Sequence, residues 1–512
     1  MTTAANNLMR LDALLTGFAD DASLEREQVD VEVSGVCLDT RLLVPGDLYL
    51  AMSGSSSHGM QFVNKALDAG AVAVVTDQVG LQDFEHQVAL LRSARKPLLL
   101  VPELKQQAGD IAARFFSHPS KSVQVVAVTG TDGKTSVCRF IADALNGTGR
   151  PCGYIGTLGW GLETLTDTQL TTPDAATLQR SIAVLRDAGA SVVVLEASSH
   201  GLEEGRLDAV DIDIAVLTNF GRDHLDYHKS TEAYKAAKAR LFSWPGIRAV
   251  VLNGADELGA ELALTANSNK VVFYPSKTAV PAAKAAASDI VIHADAVQAQ
   301  PNGLCFDLID NTTRFKQQSP LLGLFNVENL LACHGVLRAL GQAANDACAS
   351  LQFVQPVRGR MEQFSADNSP TAVVDYAHTP QALEAAITAA RAHCHGALWV
   401  VFGCGGDRDA GKRGPMGRAA EMADHVIVTD DNPRTENSAS IIEQILAGMV
   451  QPERATVIAD RPSALAHAMQ RADNNDLVLI AGKGHESYQI VGADVLDYSD
   501  RDTVQKLLQV AS

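Results

Sequence analysis

Short apolar runs alternate with longer amphipathic stretches along most of this chain. Runs such as QVVAVT at 124–129, VVVLE at 192–196 and LVLIA at 477–481 have the length and β-branched content of buried strands. Between such runs, apolar residues recur every three to four positions, as in the helical stretch at 104–117. The alternation predicts an α/β fold with mostly parallel sheets that are covered by helices on both faces.

The same pattern divides the chain into three parts. Because a single core stops growing at about 250–300 residues, a chain of 512 residues needs several domains. Short strands and one helix near 61–69 fill the first part, and five strand-like runs separated by helices fill the last. We therefore predict domains at 1–103, 104–355 and 356–512.

Composition excludes several classes of protein. The formal net charge of −18 argues against general nucleic-acid binding. No apolar run is long enough to span a bilayer, and the N-terminus lacks the features of a secretion signal. The eight cysteines include no CxxC pair. We expect a cytoplasmic protein with reduced thiols that neither binds nucleic acid nor inserts into a membrane.

The most informative segment is VQVVAVTGTDGKTS at 123–136, in which a strand runs through a glycine loop into a helix. That geometry directs backbone N–H groups and the positive end of the helix toward an anion. Lys134 would reach the outer phosphates of a nucleotide, and the Thr135 hydroxyl would bind Mg²⁺. The motif is a shortened variant, GxxGK[ST], because position 128 is Val128. It predicts ATP or GTP binding, and an ordinary turn with a glycine cap is the alternative.

Other polar residues follow strand-like runs, where ligand sites lie in parallel sheets. Glu196 is placed to hold Mg²⁺, or else belongs to a helix N-cap region. The segment NFGRDHLDYH at 219–228 predicts a polar pocket, with structural histidines as the alternative. Asn326 and Asn329 could share a helix face and bind a base, or be a cap and a surface residue. From its local pattern, Lys238 is a solvated lysine on a helix.

Three loops near the end of the chain are dense in Gly, Arg and carboxylates: GCGGDRD at 403–409, DDNPR at 430–434 and GKGHE at 482–486. Each follows a strand-like run, so all three are predicted at one edge of a parallel sheet. Together they would suit a zwitterionic substrate. Each loop alone is a weak signal, because βα turns rich in Gly and Asp are common.

These motifs, in this order, resemble the Mur ligase family, ATP-dependent enzymes that build the stem peptide of the cell wall. The resemblance covers nearly the whole chain. Besides the loops above, it rests on TTPD at 171–174, EASSHG at 196–201, GLFNVEN at 323–329, GRME at 359–362 and DYAHTP at 375–380. It implies a UDP-binding domain, a central phosphate-loop ATPase and a Rossmann-like C-terminal domain for the incoming amino acid and ATP.

The resemblance implies a ligase, expected to be a monomer, that adds meso-diaminopimelate to UDP-N-acetylmuramoyl-L-alanyl-D-glutamate through an acyl phosphate. The implied ATP contacts are Gly130, Thr131, Gly133, Lys134, Thr135, Ser136, Asn326, Arg360 and Asp375. The implied contacts to the UDP-muramoyl-peptide are Leu38, Thr40, Ser55, Thr171, Thr172, Ser198 and Arg206. The implied contacts to diaminopimelate are Arg408, Asp431, Asn432, Pro433, Arg434, Gly482 and Glu486.

The resemblance also implies a set of catalytic residues and metal ligands. The catalytic residues would be Lys134, Glu196, His224 and Lys238. One Mg²⁺ would be held by Thr135 and Glu196, and a second by His224 and Lys238. Because a cationic lysine cannot bind a cation, the family uses a carbamylated lysine, and this reverses the local interpretation of Lys238.

Two of the departures from the family pattern place a carboxylate near these sites. Glu204 stands where a Gln is common, and Asp132 stands where an Asn is more usual. A carboxylate facing an anionic ligand is unfavourable, so neither residue is included among the predicted contacts.

Alternatives remain within and outside the ligase class. A lysine-adding ligase and a folylpolyglutamate-type ligase would share the central domain, although the first domain and the DNPR motif argue against the folate relative. A phosphate-loop switch would bind nucleotide and regulate a partner without making a product. The three Gly/Arg/Asp-rich loops favour an enzyme, because a switch needs no amino-acid pocket.

Overall fold

The computed structural model describes residues 8–19, 30–54, 57–168, 170–221, 225–280 and 290–511. It consists of two compact units, and each is described by itself. The first comprises residues 1–273, 280–291 and 332–350, and the second comprises residues 274–279, 292–331 and 351–512. The α/β class with mostly parallel sheets is confirmed, whereas the three domain boundaries stay a prediction.

The first unit begins with a small parallel sheet. The strands here are β1 (Met9–Arg10), β2 (Glu32–Val33), β3 (Gly35–Cys37), β4 (Asp47–Ala51), β5 (Ala73–Thr76) and β6 (Leu98–Leu100). The sheet has the order β3-β4-β5-β6, and an antiparallel pair, β1–β2, precedes it. The helices are Leu11–Leu15, Val63–Asp68, Gln78–Asp83, Glu85–Ser93 and Leu104–Phe115. Apolar residues from both faces of the sheet are buried, so helices cover it on two sides.

A larger sheet of the first unit carries the glycine loop. Its strands are β7 (Gln124–Thr129), β8 (Cys152–Gly156), β9 (Gly159–Gly161), β10 (Val192–Glu196), β11 (Ile214–Leu217), β12 (Ala249–Asn253) and β13 (Asn269–Tyr274). They run in the order β13-β12-β11-β7-β10-β8-β9, and all neighbours are parallel except β8 and β9. The helices are Lys134–Gly147, Ala175–Asp187, Ser199–Glu203, Leu225–His228, Thr231–Ala239, Glu257–Thr265 and Ala344–Ser350.

The second unit contains an antiparallel meander and a six-stranded sheet. The meander is formed by β14 (Ile290–Gln300), β15 (Gly303–Asp310) and β16 (Thr313–Ser319). The strands of the sheet are β17 (Glu362–Phe364), β18 (Thr371–Asp375), β19 (Leu398–Phe402), β20 (His425–Val428), β21 (Ala455–Val457) and β22 (Leu477–Ala481). Their order is β17-β18-β22-β19-β20-β21, and only β17 runs antiparallel. The five strand-like runs predicted in this part of the chain are therefore confirmed.

A hairpin and several helices complete the second unit. The hairpin consists of β23 (Tyr488–Val491) and β24 (Asp494–Asp497). The helices are Phe325–Ala339, which begins in this unit, Pro380–His393, Arg413–Ala420, Ser438–Leu446, Arg461–Arg471 and Asp500–Ala511. Since β19, β20 and β22 are parallel, the loops at 403–409, 430–434 and 482–486 lie at one edge of the sheet, as predicted.

The described residues include no helix with the length and apolarity needed to cross a bilayer. All eight cysteines are free thiols.

Candidate active site

The glycine loop joins β7 to the helix Lys134–Gly147 with the predicted strand–loop–helix geometry. Gly130 has φ +152°, and a Cβ at this position would lie 1.8 Å from Thr218 Oγ1. Gly133, the residue before the helix, has φ +80°. Both positions therefore require glycine, one for close packing and the other for its left-handed backbone. The first-turn amides of the helix have no partners within the helix, so they are available to an anion.

Two lysines converge on the carbonyl group of Gly130. Lys134 Nζ donates to Gly130 O at 3.0 Å and to Thr131 O at 2.9 Å. Lys238 Nζ donates to Gly130 O at 2.6 Å and lies 4.5 Å from the ring centroid of Tyr234. Lys238 is only 1 % exposed, so the local interpretation of a solvated lysine is wrong. Two cations and a helix N-terminus at one loop give an electropositive site for an anion such as a triphosphate.

A buried carboxylate lies beside this loop. The sheet register pairs Glu196, the last residue of β10, with Val128 of β7. Glu196 is 1 % exposed, and its Oε2 accepts a hydrogen bond from Thr135 Oγ1 at 3.0 Å. Its Oε1 accepts from Tyr154 Oη at 2.6 Å and from the Thr157 amide at 2.9 Å. The structure thus brings together the predicted pair of magnesium ligands, Thr135 and Glu196.

The chemistry of these two residues fits Mg²⁺, which prefers hard oxygen ligands. Burial and the neighbouring carboxylate raise the pKa of Tyr154, so its phenol stays protonated and donates to Glu196. This hydrogen bond holds one carboxylate oxygen in place and leaves the other directed toward Thr135. Within the described residues, no group of three or more His, Cys, Asp or Glu side chains could hold a metal ion.

Residues predicted to bind the muramoyl-peptide are connected to Glu196 through hydrogen bonds. Thr157 Oγ1 lies 3.1 Å from Glu196 Oε2 and 3.0 Å from Thr171 Oγ1. Thr172 Oγ1 donates to the Glu196 carbonyl at 2.7 Å and accepts from the Ser198 amide at 3.0 Å. Three predicted residues on two loops, Thr171, Thr172 and Ser198, are therefore joined to Glu196 through hydrogen bonds.

Arg206 joins the same network, and its contacts explain the unusual Glu204. Arg206 donates to Thr172 O at 2.6 Å and forms an ion pair with Glu204 at 2.5 Å. The negative charge of Glu204 is therefore compensated by the arginine next to it. Asp132, the other departure from the family pattern, is exposed.

The segment at 219–228 is described in part. Asn219 supports the glycine loop, because its Oδ1 accepts from the Asp132 amide at 2.9 Å. His228 is 5 % exposed and lies 2.9 Å from Ser199 Oγ and 2.8 Å from Glu203, which makes it a structural histidine. The predicted catalytic residue His224 lies outside the described residues.

The predicted uridine contacts lie at the small sheet of the first unit. Leu38 and Thr40 follow β3 and are half-buried. Ser55 lies outside the described residues. Their roles stay a prediction.

The predicted adenine and ribose contacts belong to the second unit. Asp375 accepts hydrogen bonds from the Met361 and Ala377 amides at 2.8 Å each, and burial raises the pKa of its carboxyl group. The guanidinium of Arg360 lies 4.7 Å from the ring centroid of Tyr376. Its buried Nε has no hydrogen-bond partner among the described residues, so a donor remains for a ligand.

Asn326 and Asn329 are both buried on the helix Phe325–Ala339, at 5 % and 7 % exposure. Asn329 Nδ2 donates to Asn326 Oδ1 at 2.8 Å, and Asn326 Nδ2 donates to Leu322 O at 2.7 Å. The shared helix face is confirmed, and the alternative of a surface residue is wrong. Asn329 holds the side chain of Asn326 in a fixed orientation.

Two of the three loops predicted to bind diaminopimelate, 430–434 and 482–486, meet around a buried lysine. Lys483 is 0 % exposed, and its Nζ lies 3.0 Å from both Asn432 Oδ1 and Glu486 Oε2. Asp431 Oδ1 lies 3.7 Å from the same ammonium. Asn432 also donates to Glu486 at 3.1 Å. Lys483 therefore holds three of the predicted diaminopimelate residues in one cluster.

The remaining predicted residues of this set surround that cluster. Arg434 has φ +51° and donates to Gly406 O at 2.8 Å, so its side chain spans two of the loops. Pro433 precedes it and is buried, whereas Arg408 is exposed. Gly482 has φ +117°, and a Cβ there would lie 2.7 Å from Asp431 Oδ2. Only glycine fits that position.

Three residues of these sites, Thr157, Tyr154 and Lys483, were not predicted from the sequence. Thr157 directly follows the strand β8, just as Glu196 ends β10, and this position could have identified it as a candidate site residue. Tyr154 lies within β8 and Lys483 lies within a glycine-rich loop, and neither has a local pattern that predicts its partners.

Comparisons with known proteins identify the family of this chain. The model of the Mur ligase middle domain matches residues 128–337, that of the Mur ligase glutamate ligase domain matches 359–484, and that of the Mur ligase family catalytic domain matches 32–116. A protein of Alkalilimnicola ehrlichii named UDP-N-acetylmuramoyl-L-alanyl-D-glutamate–2,6-diaminopimelate ligase is 43 % identical over 98 % of this chain and 99 % of its own length. The Pseudomonas aeruginosa protein of the same name is 42 % identical over 94 % and 96 %.

Solved structures are also similar to this chain along nearly its full length. A structure titled as the same ligase superposes with a TM-score of 0.68 at 32 % identity, covering 98 % of this chain and 99 % of that chain. A MurF ligase from Thermotoga maritima in complex with ADP, at 17 % identity and a TM-score of 0.60 over 93 % and 98 % of the two chains, shares the fold. Because family models and relatives match it along nearly its full length, the chain belongs to the Mur ligase family.

Proposed function

We propose that this protein is the ATP-dependent ligase that joins meso-diaminopimelate to the D-glutamate γ-carboxylate of UDP-N-acetylmuramoyl-L-alanyl-D-glutamate. The observation that carries the proposal is the hydrogen-bonded series from Thr135 through Glu196 to Thr172 and Arg206. It connects the phosphate loop to the residues predicted to hold the peptide substrate. The names of the relatives agree with this substrate.

A carboxylate does not condense with an amine in water without activation. An oxygen of the γ-carboxylate would attack the γ-phosphorus of ATP, and ADP would leave. The amine nitrogen of diaminopimelate would then attack the acyl carbon, lose a proton and expel phosphate. The protein's part is to position two anions and to neutralise their charge.

The first unit supplies that neutralisation. Lys134 would exchange its two loop carbonyls for phosphate oxygens, and the first-turn amides behind it would donate to the same group. Arg206 and the hydroxyl groups of Thr171, Thr172 and Ser198 would hold the peptide substrate next to Glu196. These hydroxyl groups are already fixed by hydrogen bonds, so little order needs to be gained on binding.

Thr135 and Glu196 would hold Mg²⁺, which screens the charge of the phosphate oxygens when bound. Lys238, together with His224, would serve a second ion after carbamylation, because a carbamate offers an anionic oxygen. In that reaction the ammonium group first loses one proton. The amine nitrogen then bonds to the carbon of CO₂, the electron pair of one C–O π bond moves to oxygen, and a second proton leaves the nitrogen. The closed environment of Lys238, at 1 % exposure, would protect the carbamate from water.

The second unit would capture the amino acid. Arg434 would bind the distal carboxylate of diaminopimelate, a group that lysine lacks, and Glu486 would bind its ammonium group. Asn326, Arg360 and Asp375 are proposed as the nucleotide contacts of this unit. We also propose that the protein is a cytoplasmic monomer with domains at 1–103, 104–355 and 356–512.

The test is ADP release by the purified protein with each substrate omitted in turn. We expect ADP only when ATP, the UDP-muramoyl-dipeptide and an amino acid are all present, and far more with diaminopimelate than with lysine or ornithine. Equal rates with lysine would favour a lysine-adding ligase. ADP release that does not depend on the other substrates would favour a nucleotide switch.

A pair of lysine variants tests the phosphate loop. Lys134→Ala should abolish turnover and leave the melting temperature nearly unchanged, because its side chain contacts only loop carbonyls. Lys105→Ala, a change at an exposed position on the helix Leu104–Phe115, is the matched control and should retain full activity. Substantial ligase activity in Lys134→Ala would contradict the nucleotide assignment.

A further inference from the structure

A second buried cation lies beneath the amino-acid loops of the second unit. Arg461 is the first residue of the helix Arg461–Arg471, and its side chain is 0 % exposed. Its Nη1 donates to Asp430 O at 3.2 Å, and its Nη2 donates to Ala481 O at 2.9 Å. These carbonyl groups immediately precede Asp431 and Gly482, two of the residues proposed to bind diaminopimelate.

The two carbonyl groups belong to loops that are not neighbours in the sheet. Residue 430 follows β20 and residue 481 ends β22, and β19 lies between these strands. Hydrogen bonds of the sheet therefore do not fix the distance between the two loops directly. A planar guanidinium with donors on several sides can bridge them, whereas an ammonium group cannot do so with the same geometry.

Asp500 holds this guanidinium in place. Its carboxylate accepts from Arg461 Nε at 2.8 Å and from Arg461 Nη2 at 2.7 Å, and it also accepts from Tyr498 Oη at 2.8 Å. Burial alone would lower the pKa of Arg461, but the adjacent carboxylate raises it, so the pair stays ionic. Asp500 is itself 0 % exposed. The arginine thus has one defined orientation, aimed at both loops.

We propose that Arg461, oriented by Asp500, is a positioning residue that sets the separation of the Asp431–Arg434 loop from the Gly482–Glu486 loop and thereby determines affinity for the amino-acid substrate. The inference rests on the proposed function of these loops. A ligand with charged groups at both ends needs its partners at a fixed distance, and about 1 Å of misplacement can cost on the order of 100-fold.

The first test is a set of steady-state measurements on Arg461→Lys. The variant keeps the charge beside Asp500 and loses the bridge between the two carbonyl groups. We expect the KM for diaminopimelate to rise at least tenfold, the KM values for ATP and for the UDP-muramoyl-dipeptide to change less than twofold, and kcat at saturation to fall less than threefold. Arg391→Lys, at a surface ion pair with Asp424, is the matched control and should leave all four constants unchanged.

A second variant separates positioning from folding. Arg461→Met combined with Asp500→Asn removes both buried charges together, which often leaves stability unchanged, and the amide oxygen still accepts from Tyr498. We expect a melting temperature close to that of the wild type and the same selective rise in the KM for diaminopimelate. Equal changes in the KM for all three substrates would show a structural role only and would overturn the proposal.

Hydrogen exchange gives a measurement that does not depend on turnover. In both variants, the amides of Asp431, Asn432 and Arg434 and those at 482–486 should exchange faster than in the wild type, while those of the glycine loop at 130–133 should not change. Unchanged exchange in both loops would overturn the inference even if the wild type is inactive. An inactive wild type with faster loop exchange in the variants would instead count against the proposed function alone.

Discussion

The buried ammonium group of Lys483 allows a quantitative prediction. It has no exposure, and it lies among Asn432, Glu486 and Asp431 at 3.0, 3.0 and 3.7 Å. Replacement by Met keeps most of the side-chain volume and removes the charge. Two carboxylates and an amide oxygen would then lose their shared donor.

The change in the free energy of unfolding can be calculated from these distances. At an effective dielectric constant of about 20, a pair of unit charges 3.0 Å apart attracts by about 5 kcal/mol, most of which offsets the desolvation of the ammonium group. Breaking a buried pair costs about 3–5 kcal/mol. Glu486 and Asp431 keep 16 % and 11 % side-chain exposure, so water hydrates them in part. We therefore expect Lys483→Met to lower the free energy of unfolding by about 3 kcal/mol, at the low end of that range.

The assay is urea unfolding followed by tryptophan fluorescence. The chain has three tryptophans, and Trp399 lies on β19 in the second unit, whereas Trp160 and Trp244 belong to the first. Replacing Trp160 and Trp244 with Phe in all variants leaves Trp399 as the reporter of the unit that contains Lys483. The midpoint and slope then give the change in free energy.

Two further variants control the measurement. Lys412→Met removes an ammonium group that donates to the carbonyl of His378 in the same unit and should cost less than about 0.5 kcal/mol. Adding Glu486→Gln to Lys483→Met removes one of the orphaned charges and should recover about 1 kcal/mol or more. If Lys483→Met proved as stable as the wild type, the ammonium group would not hold these carboxylates, and the reasoning would be refuted.

The remaining predictions concern activity and thiol chemistry. Lys238→Ala should lose activity that short carboxylic acids partly restore, and electron density for an unmodified amine beside two bound metal ions would contradict this. Arg434→Ala should lower kcat/KM for diaminopimelate by about 10³-fold while the KM for ATP stays unchanged, because it removes a charge-assisted partner. Burial raises the pKa of Cys152 and of Cys404 to about 12, so at pH 8 neither thiol should react with iodoacetamide until urea is added, as mass spectrometry would show.

The sequence predicted the elements of this fold because periodicity and turn residues are local properties. The glycine loop, the strand before it and the helix after it follow from one segment, and the three loops of the second unit share an edge because parallel strands end on the same side. The length of each buried run was enough to identify it as a strand.

Contacts between residues far apart in the sequence could not be predicted from local patterns. Lys238 has the local pattern of a solvated lysine, and its burial arises from packing against the glycine loop more than 100 residues earlier. One interpretation of the sequence placed Asn329 on the surface, yet the residue is buried against Asn326. The pairing of Arg461 with Asp500 joins two helices, and no spacing in the sequence marks it.

The two outer strands of the six-stranded sheet in the second unit limit self-association. β17 and β21 each contain only three residues, and Pro452, which lacks an amide hydrogen, begins the turn just before β21. An edge strand of about 10 Å offers few unpaired backbone groups to another chain. The long apolar strands β18, β22, β19 and β20 lie between these short edges. The folded sheet is thereby protected from edge-to-edge aggregation, even though its inner strands would be strongly aggregation-prone if exposed.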